Sequence, residues 1–323
     1  MTDRVPAHDL AIVIVSTNEA KWLEPCLRTV LASSGDASID VVVVDNESTD
    51  GTRELVGSQF PSVRLVDSRN HGFSHANNRG VASCEARYVL FLNPDTEIVS
   101  GDFGELVAAM DARPEVGLVG VRQLTGDGTL WPTIRYFPSP ARALGEALAS
   151  ERWPLRARWA GERELDLDVY EREQPCDWTS GSFMLARREA LMSSGLLDER
   201  FFIYSEETDL CLRIKRAGWE IRHLPSMTIV HHAGKGGIRP RMIAQEAYAR
   251  RQYAGKHFTQ PARSAYLGAL YARHAIRAVA PGNREPSKAR RAAARTAIRT
   301  LTGRADPPFG APPETALAPL AEP

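Results

Sequence analysis

Apolar and polar positions alternate between two periods along the first hundred residues. The runs LAIVIVS (10–16) and IDVVVVD (39–45) are β-branched and carry no polar alternation, as expected of parallel strands covered on both faces. Between them Trp22, Leu23, Cys26, Leu27, Val30 and Leu31 recur at helical spacing. After Asp45 a second helix is expected, with Ser48, Thr49 or Asp50 as its cap. A third strand over 63–68, a helix over 74–84 and a fourth strand in YVLFLNPDTEIV (88–99) follow, the last stopping abruptly at Asn93, Pro94 and Asp95. The order β-α-β-α-β-α-β with right-handed crossovers predicts an α/β fold, a Rossmann-like open sheet flanked by helices.

Ligands of such sheets sit beyond the carboxyl ends of the strands. Four polar stretches follow an apolar run directly: Thr17 to Glu19, Asp45 to Asn46, Asp67 to Asn70, and Asn93 to Asp95. A turn alone explains Asn-Pro-Asp, but carboxylates, amides and hydroxyls at every strand end predict a cleft for a sugar, a ribose or a metal. No G-x-G-x-x-G follows the first strand and no G-x-x-x-x-G-K-[ST] occurs; the GKGG at 234–237 lacks the required spacing. STNEAKW is also not the basic glycine-rich loop that a nucleotidyltransferase would need after its first strand.

The second informative block spans 175–225. Asp177 and Trp178 precede a glycine-containing bend, and the acids Glu206, Glu207 and Asp209 follow the aromatic FFIY and precede LCL. Such acids commonly form a solvated helix start that favours the N-terminal dipole. Their apolar flanks instead direct some of them into a semi-buried space, where raised proton affinity suits a general base. Downstream, SMTIVHHAGKGG ends an apolar run in two histidines.

In order, VIVSTNEAKWLEPCLRTVL, VVVVDNESTDGT, NHGFSHANNRG, YVLFLNPDTEI, WTSGSFMLARREAL, DERFFIYSEETDLCLRIKRAGW and IVHHAG resemble family 2 of the inverting glycosyltransferases, with the GT-A fold, and among these the bacterial rhamnosyltransferases that use dTDP-rhamnose on lipid-linked glycan intermediates. The resemblance covers about residues 8–260. It implies a mixed, mostly parallel sheet, a nucleotide-diphosphate sugar donor, a lipid-linked or cell-envelope glycan acceptor, and Mg²⁺ or Mn²⁺ as cofactor. Thr17, Asn18 and Glu19 match the segment at the base and ribose; Asp45 matches the acid at the pyrimidine or ribose, with Asn46 beside it. Asn70, Gly72, Phe73 and Asn77 match the loop and helix start of the donor pocket, and Trp178 and Gly181 fall on the acceptor side. Asp95 matches the last acid of the D-x-D motif that binds the metal, with the neutral Asn93 at its first position, and His231 matches a histidine that completes the metal shell. Glu207 falls on the second position of the E-D pair, where the general base lies; Glu206 and Asp209 are its rivals. Thr17 stands where the family usually has an aromatic residue.

Charge adds a further division. Residues 1–238 hold 25 Lys and Arg against 35 Asp and Glu, whereas residues 239–304 hold 15 against 2. An acidic body thus carries a basic arm with an anionic partner. Leu267, Leu270, Tyr271 and His274 are expected on one helical face of 264–279; further on, Arg291, Arg295 and Arg299 form a stripe beside Ala294, Ala297, Ile298 and Leu301. Such an arm either packs on the body or lies on an anionic membrane, and a lipid-diphosphate acceptor favours the membrane. No aromatic-interleaved basic motif points to nucleic acid. The expected organisation is a glycosyltransferase domain over 1–240, with a nucleotide half at about 8–100 and an acceptor half at about 101–240. A basic helical extension over 241–304 and a disordered Pro-rich tail over 305–323 follow.

With no signal-like N-terminus and no long uncharged apolar run, the expected location is cytoplasmic, peripheral at the inner face of the cell membrane. Cys26, Cys84, Cys176 and Cys211 are too scattered for a zinc knuckle or a disulfide framework. Two alternatives stand beside rhamnosyl transfer: galactofuranosyl or other hexosyl transfer from a UDP-sugar, and a nucleotide-sugar-binding protein whose catalysis has decayed.

Overall fold

The computed structural model describes residues 7–148, 160–232, 239–280 and 285–310; the GKGG stretch lies outside them, as do residues 311–323. The nucleotide half is β1 (His8–Ser16), α1 (Ala20–Ala32), β2 (Ile39–Asn46), α2 (Thr52–Gln59), β3 (Arg64–Ser68), α3 (Phe73–Ala82) and β4 (Ala86–Leu92). β3, β2, β1 and β4 lie side by side and parallel. Their side chains divide between two cores. Leu10, Ile12, Ile14, Val41, Val43 and Leu90 pack against α1, while Ala11, Val13, Val42, Val44, Val89 and Phe91 pack against the opposite layer. This two-sided burial is why the strands read as unbroken apolar runs.

The second helix begins differently from the expectation. Its cap position is Gly51, in the left-handed region; Asp50, one residue earlier, accepts from the Thr52 N–H at 3.2 Å.

Beyond Asn93-Pro94-Asp95 the chain does not pair with β4. It continues as β5 (Thr96–Ser100), α4 (Phe103–Asp111), β6 (Val116–Thr125), α5 (Pro140–Leu148), a short 3-10 turn over Leu167–Glu171, β7 (Gln174–Pro175), β8 (Phe183–Arg187), α6 (Arg188–Ser194), α7 (Glu206–Arg216) and β9 (Glu220–His231). The sheet order is β3-β2-β1-β4-β8-β6-β9-β5, with β7 on β9. β8 runs antiparallel to both β4 and β6, and β5 antiparallel to β9. The Asn-Pro-Asp turn therefore carries the chain from the middle of the sheet to its far edge.

The basic arm forms α8 (Pro240–His257), α9 (Ala262–Val279) and α10 (Glu285–Leu301). They share a core with α5: Ala143, Ala247, Ala254, Tyr266, Leu270, Ala297 and Leu301. On α9 the buried face runs through Tyr266, Ala269, Leu270, His274 and Ala278. Tyr271, expected on this face, is instead exposed, because the core line follows Tyr266 one position round the helix. On α10, Ala294, Ala297 and Leu301 are buried as the pattern predicts, and Arg295 and Arg299 face outward. The expected disordered tail starts ordered: Phe309 stacks on Phe202 with ring centroids 4.9 Å apart, and Arg241 covers Phe309 at 4.3 Å.

Candidate active site

Each carboxyl end of the parallel strands presents its polar residues to one edge. Asp45 is 1% exposed and accepts from the Ser48 N–H at 3.2 Å and from Arg53 Nε at 2.8 Å. Arg53 also pairs with Asp67. Asp45 and Arg53, with Glu47, Ser48, Thr49 and Ser68, line a cleft of about 320 Å³, about the lower limit for a small-molecule site. Asn46 bridges the strand ends, donating from Nδ2 to Asn70 Oδ1 at 3.0 Å and to Thr17 Oγ1 at 3.3 Å. Asn18, with φ of 57°, accepts from the Thr49 N–H at 2.7 Å, so its amide fastens the loop that forms the cleft wall. Sequence reasoning missed Arg53, whose role appears only when the turn of α2 brings it over Asp45.

Gly72 and Phe73 tie the start of α3 to the segment that precedes α7. The Phe73 N–H donates to Phe202 O at 2.6 Å, and a Cβ on Gly72 would lie 2.4 Å from that oxygen. Gly72 has φ 101° and ψ 172°, a region open essentially to glycine alone. Replacing Gly72 by Ala is expected to destabilise the protein by about 1–3 kcal/mol through the backbone, with the clash added. Chemical denaturation checks this, and a change within about 0.5 kcal/mol would mean that the loop moves freely. Asn77 is buried but bonds within its own helix, from Nδ2 to Phe73 O at 2.9 Å, and its Oδ1 has no partner. Its unassigned neighbour Asn78 grips Leu197 and Glu199.

At the end of β4, Asp95 Oδ1 lies 3.2 Å from His231 Nε2, and Asn93 Nδ2 lies 3.4 Å from the same nitrogen. The pairing of Thr96 with His231 across β5 and β9 produces this meeting of residues far apart in the chain. His232 turns elsewhere, stacking on Trp22 and bonding Glu97 Oε1 at 2.6 Å. Burial and the Asp95 carboxylate raise the Glu19 carboxyl, placing Glu19 beside this centre too. Among the described residues no three His, Cys, Asp or Glu side chains are grouped to hold a metal. Asp95 and His231 offer one carboxylate and one imidazole, a donor set that fits Mn²⁺ and, less closely, the harder Mg²⁺, provided that phosphate and water oxygens fill the remaining positions.

The other side of the site is the start of α7. Tyr204 and Ser205 immediately before it both have positive φ, 74° and 67°, strain of the kind concentrated at functional sites. The three acids then separate by environment. Asp209 is fully buried and accepts from Arg213 at 2.8 Å and from Lys256 and His257 at 2.6 Å. Burial alone would raise it, but these partners outweigh burial and hold it below the usual carboxylate range. Glu206 and Glu207 each keep a sealed Oε2 with no hydrogen-bond partner. Burial raises both; the Glu207 carboxylate raises Glu206 further, whereas Arg135 and Arg250 oppose the rise at Glu207.

Glu206 is 5% exposed, while Glu207 is half-buried beside the glycine bend, its Cβ 3.7 Å from where a Gly181 Cβ would sit. Ser182 O, next to Gly181, accepts from the Asn93 N–H at 3.1 Å. Asp95 and Glu207 are thereby joined through a short run of backbone across one edge of the sheet. Trp178 is buried, its Nε1 donating to Tyr136 O at 2.9 Å.

The chain is similar in sequence and fold to known proteins. The chain is 32% identical over 244 residues to the N-acetylglucosaminyl-diphospho-decaprenol L-rhamnosyltransferase of Mycobacterium tuberculosis (strain H37Rv), covering 72% of this chain and 77% of that one. It is 23% identical over 237 residues to the rhamnosyltransferase WbbL of Escherichia coli (strain K12), covering 69% and 83%. The mannosyltransferase PcManGT of Pyrobaculum calidifontis, solved with GDP-Man and Mn²⁺, superposes with a TM-score of 0.53 at 17% identity over 93% of this chain and 89% of that one. That likeness supports a GT-A type of sheet. The model of the family described as glycosyl transferase family 2 matches residues 11–193, more than half of the sequence, and the chain belongs to that family.

Proposed function

We propose that the protein is a metal-dependent, inverting rhamnosyltransferase that moves rhamnose from dTDP-rhamnose to a sugar carried on a lipid diphosphate. The observation that carries the reading is the joining of Asp95 and His231 to Glu207 through Asn93, Ser182 and Gly181. The names of two relatives supply rhamnose as the sugar transferred, and that of the mycobacterial one a lipid-diphosphate acceptor; the dTDP-linked donor is this proposal's own step. The cleft at Asp45 and Arg53 takes the nucleoside, while Asp95 and His231 face the diphosphate. A divalent cation held there would neutralise charge on the leaving diphosphate. Glu207 takes the proton of the acceptor hydroxyl as the new C1–O bond forms and the bond from C1 to the diphosphate oxygen breaks. Glu207 is preferred to Asp209 because Asp209 is committed to three cations, and to Glu206 because Glu206 is more deeply buried.

A thermal-shift screen of sugar nucleotides with Mn²⁺ tests the donor, since a ligand bound only by the folded state stabilises it. The expected result is a larger shift with dTDP-rhamnose than with UDP-hexoses or UDP-galactofuranose; the reverse order would replace the donor. Strong binding with no turnover on any lipid-linked acceptor would favour a decayed enzyme.

Work on a lipid-linked acceptor brings the protein to a membrane surface. No helix of the described residues is long and apolar enough to cross a membrane, but Arg295 and Arg299 face outward on α10, and Ile276 and Val279 are exposed on α9. Cosedimentation with anionic vesicles is expected to exceed that with neutral vesicles and to fall with added salt. Equal binding to both would remove the basic arm from the proposal.

A further inference from the structure

The segment around Arg135 lies between two others. Arg135 pairs antiparallel with Arg163 on one side and with Trp178 on the other. Directly opposite residues of antiparallel segments project to the same face, so two arginines and a tryptophan stand in a row. The Arg135 guanidinium lies 5.4 Å over the Trp178 ring, and that of Arg163 lies 5.5 Å over Trp131.

Two like charges directly opposite one another destabilise a pair of strands; Glu162 and Glu207 act against this at Arg135, but among the described residues no carboxylate pairs with either arginine. Several enclosed arginines are held by carboxylates or by sets of carbonyls. Arg250 donates to Glu162 and Glu246, Arg213 to Asp209 and three carbonyls, and Arg187 to Val116, Met110, Arg113 and the Tyr88 hydroxyl. Arg135 Nε is sealed from solvent with no hydrogen-bond partner, as are Arg142 Nε and Arg273 Nε; what sets Arg135 apart is that a second arginine, Arg163, stands opposite it, and among the described residues neither of the two forms an ion pair. Burial and the charge of Arg163 push the Arg135 guanidinium down to about 10, the response of a cation that lacks an anion.

The position selects the anion. Arg135 is within electrostatic reach of Glu207, and Trp178 leads within three residues to Gly181, against which Glu207 packs. Through its pairing and stacking with Trp178, Arg135 belongs to the side of the site where Glu207 lies against the Gly181 bend. We propose that Arg135 and Arg163 bind the diphosphate of the lipid-linked acceptor and so hold its sugar against Glu207. This rests on the acceptor reading above and adds its means of recognition: two guanidiniums against two phosphate charges, with Trp178 and Trp131 as stacking floors.

Farnesyl diphosphate, with farnesol as the phosphate-free control, is the probe for titration into the full chain without donor. Wild type is expected to bind farnesyl diphosphate and not farnesol. Arg135→Gln and Arg163→Gln are each expected to weaken that binding about 10- to 100-fold, the worth of a charged hydrogen bond, and Arg135→Lys to restore part of it. Binding of dTDP-rhamnose with Mn²⁺ should be unchanged in all three, which also shows that they fold. Unchanged farnesyl diphosphate binding in both Gln variants, or parallel loss of dTDP-rhamnose binding, overturns the proposal. Failure of dTDP-rhamnose to bind wild type, with farnesyl diphosphate still dependent on Arg135, removes the donor assignment and leaves the acceptor site standing.

Discussion

Replacing Glu207 by Gln is expected to lower kcat for sugar transfer by about 10²- to 10⁴-fold while leaving donor affinity unchanged. The amide keeps the shape of the carboxyl and loses only the capacity to take a proton. Burial raises the Glu207 carboxyl above its ordinary value of 4.5, so the acid limb of kcat against pH should lie above that value: the base works only when deprotonated. The same substitution should raise stability. A native-state value above the unfolded one means that the penalty is absent below about 4.5 and sets in as pH rises through the native value. Glu207→Gln should therefore melt higher than wild type at neutral pH, with the difference vanishing in acid. Near-normal turnover would sink the assignment of the base. Lost turnover with no gain in melting temperature would instead mean that the carboxylate is compensated in the folded protein.

Asp209→Asn is the informative contrast, because Asp209 is the ordinary kind of buried acid. Its partners are Arg213, Lys256 and His257. Removing its charge should therefore destabilise the protein, since the cations remain enclosed without it. Two acids on one turn of helix thus differ in sign of effect because Asp209 is held by three cations at hydrogen-bond distance, whereas Glu207 keeps a sealed oxygen without a partner.

The parts of this site that could be read from sequence are those set by local pattern. A strand buried on both faces is an unbroken apolar run, and the residue after it must lie at the sheet edge; this locates Asp45 and Asp95 without any long-range information. What could not be read depends on which distant segments pair. The chain leaves Asp95 for the far edge of the sheet, so the partner of β5 is β9, a fact with no local signature. Arg135, Arg163 and Trp178 form a row only through a three-segment pairing across a stretch with little regular structure. Arg53 over Asp45, and α5 in one core with the basic helices, are likewise products of tertiary packing. The error at Tyr271 has the same origin: period alone cannot distinguish neighbouring faces of a helix that packs on several others.

Asp95→Asn is the second large effect expected. Asp95 offers the carboxylate of the pair with His231, since the remaining nearby group of the turn is the neutral Asn93. An amide oxygen carries no charge to attract a divalent cation, so the Mn²⁺ concentration for half-maximal stabilisation of the dTDP-rhamnose complex should rise at least about tenfold, roughly 1.4 kcal/mol. Transfer should fall further, because charge on the leaving diphosphate is greatest in the transition state. The neutral Asn93 sharpens the test. In a D-x-D turn a second acid could take over, whereas here, among the described residues, the groups to fall back on are His231 and Glu19, whose carboxyl feels the Asp95 charge. Asn93→Asp should accordingly lower the Mn²⁺ requirement and partly rescue Asp95→Asn in the double variant. An unchanged Mn²⁺ titration in Asp95→Asn would make Asp95 a structural residue of the turn, held by its bond from the His232 N–H to the Asp95 carbonyl at 2.9 Å, and would move the cation to another part of the cleft.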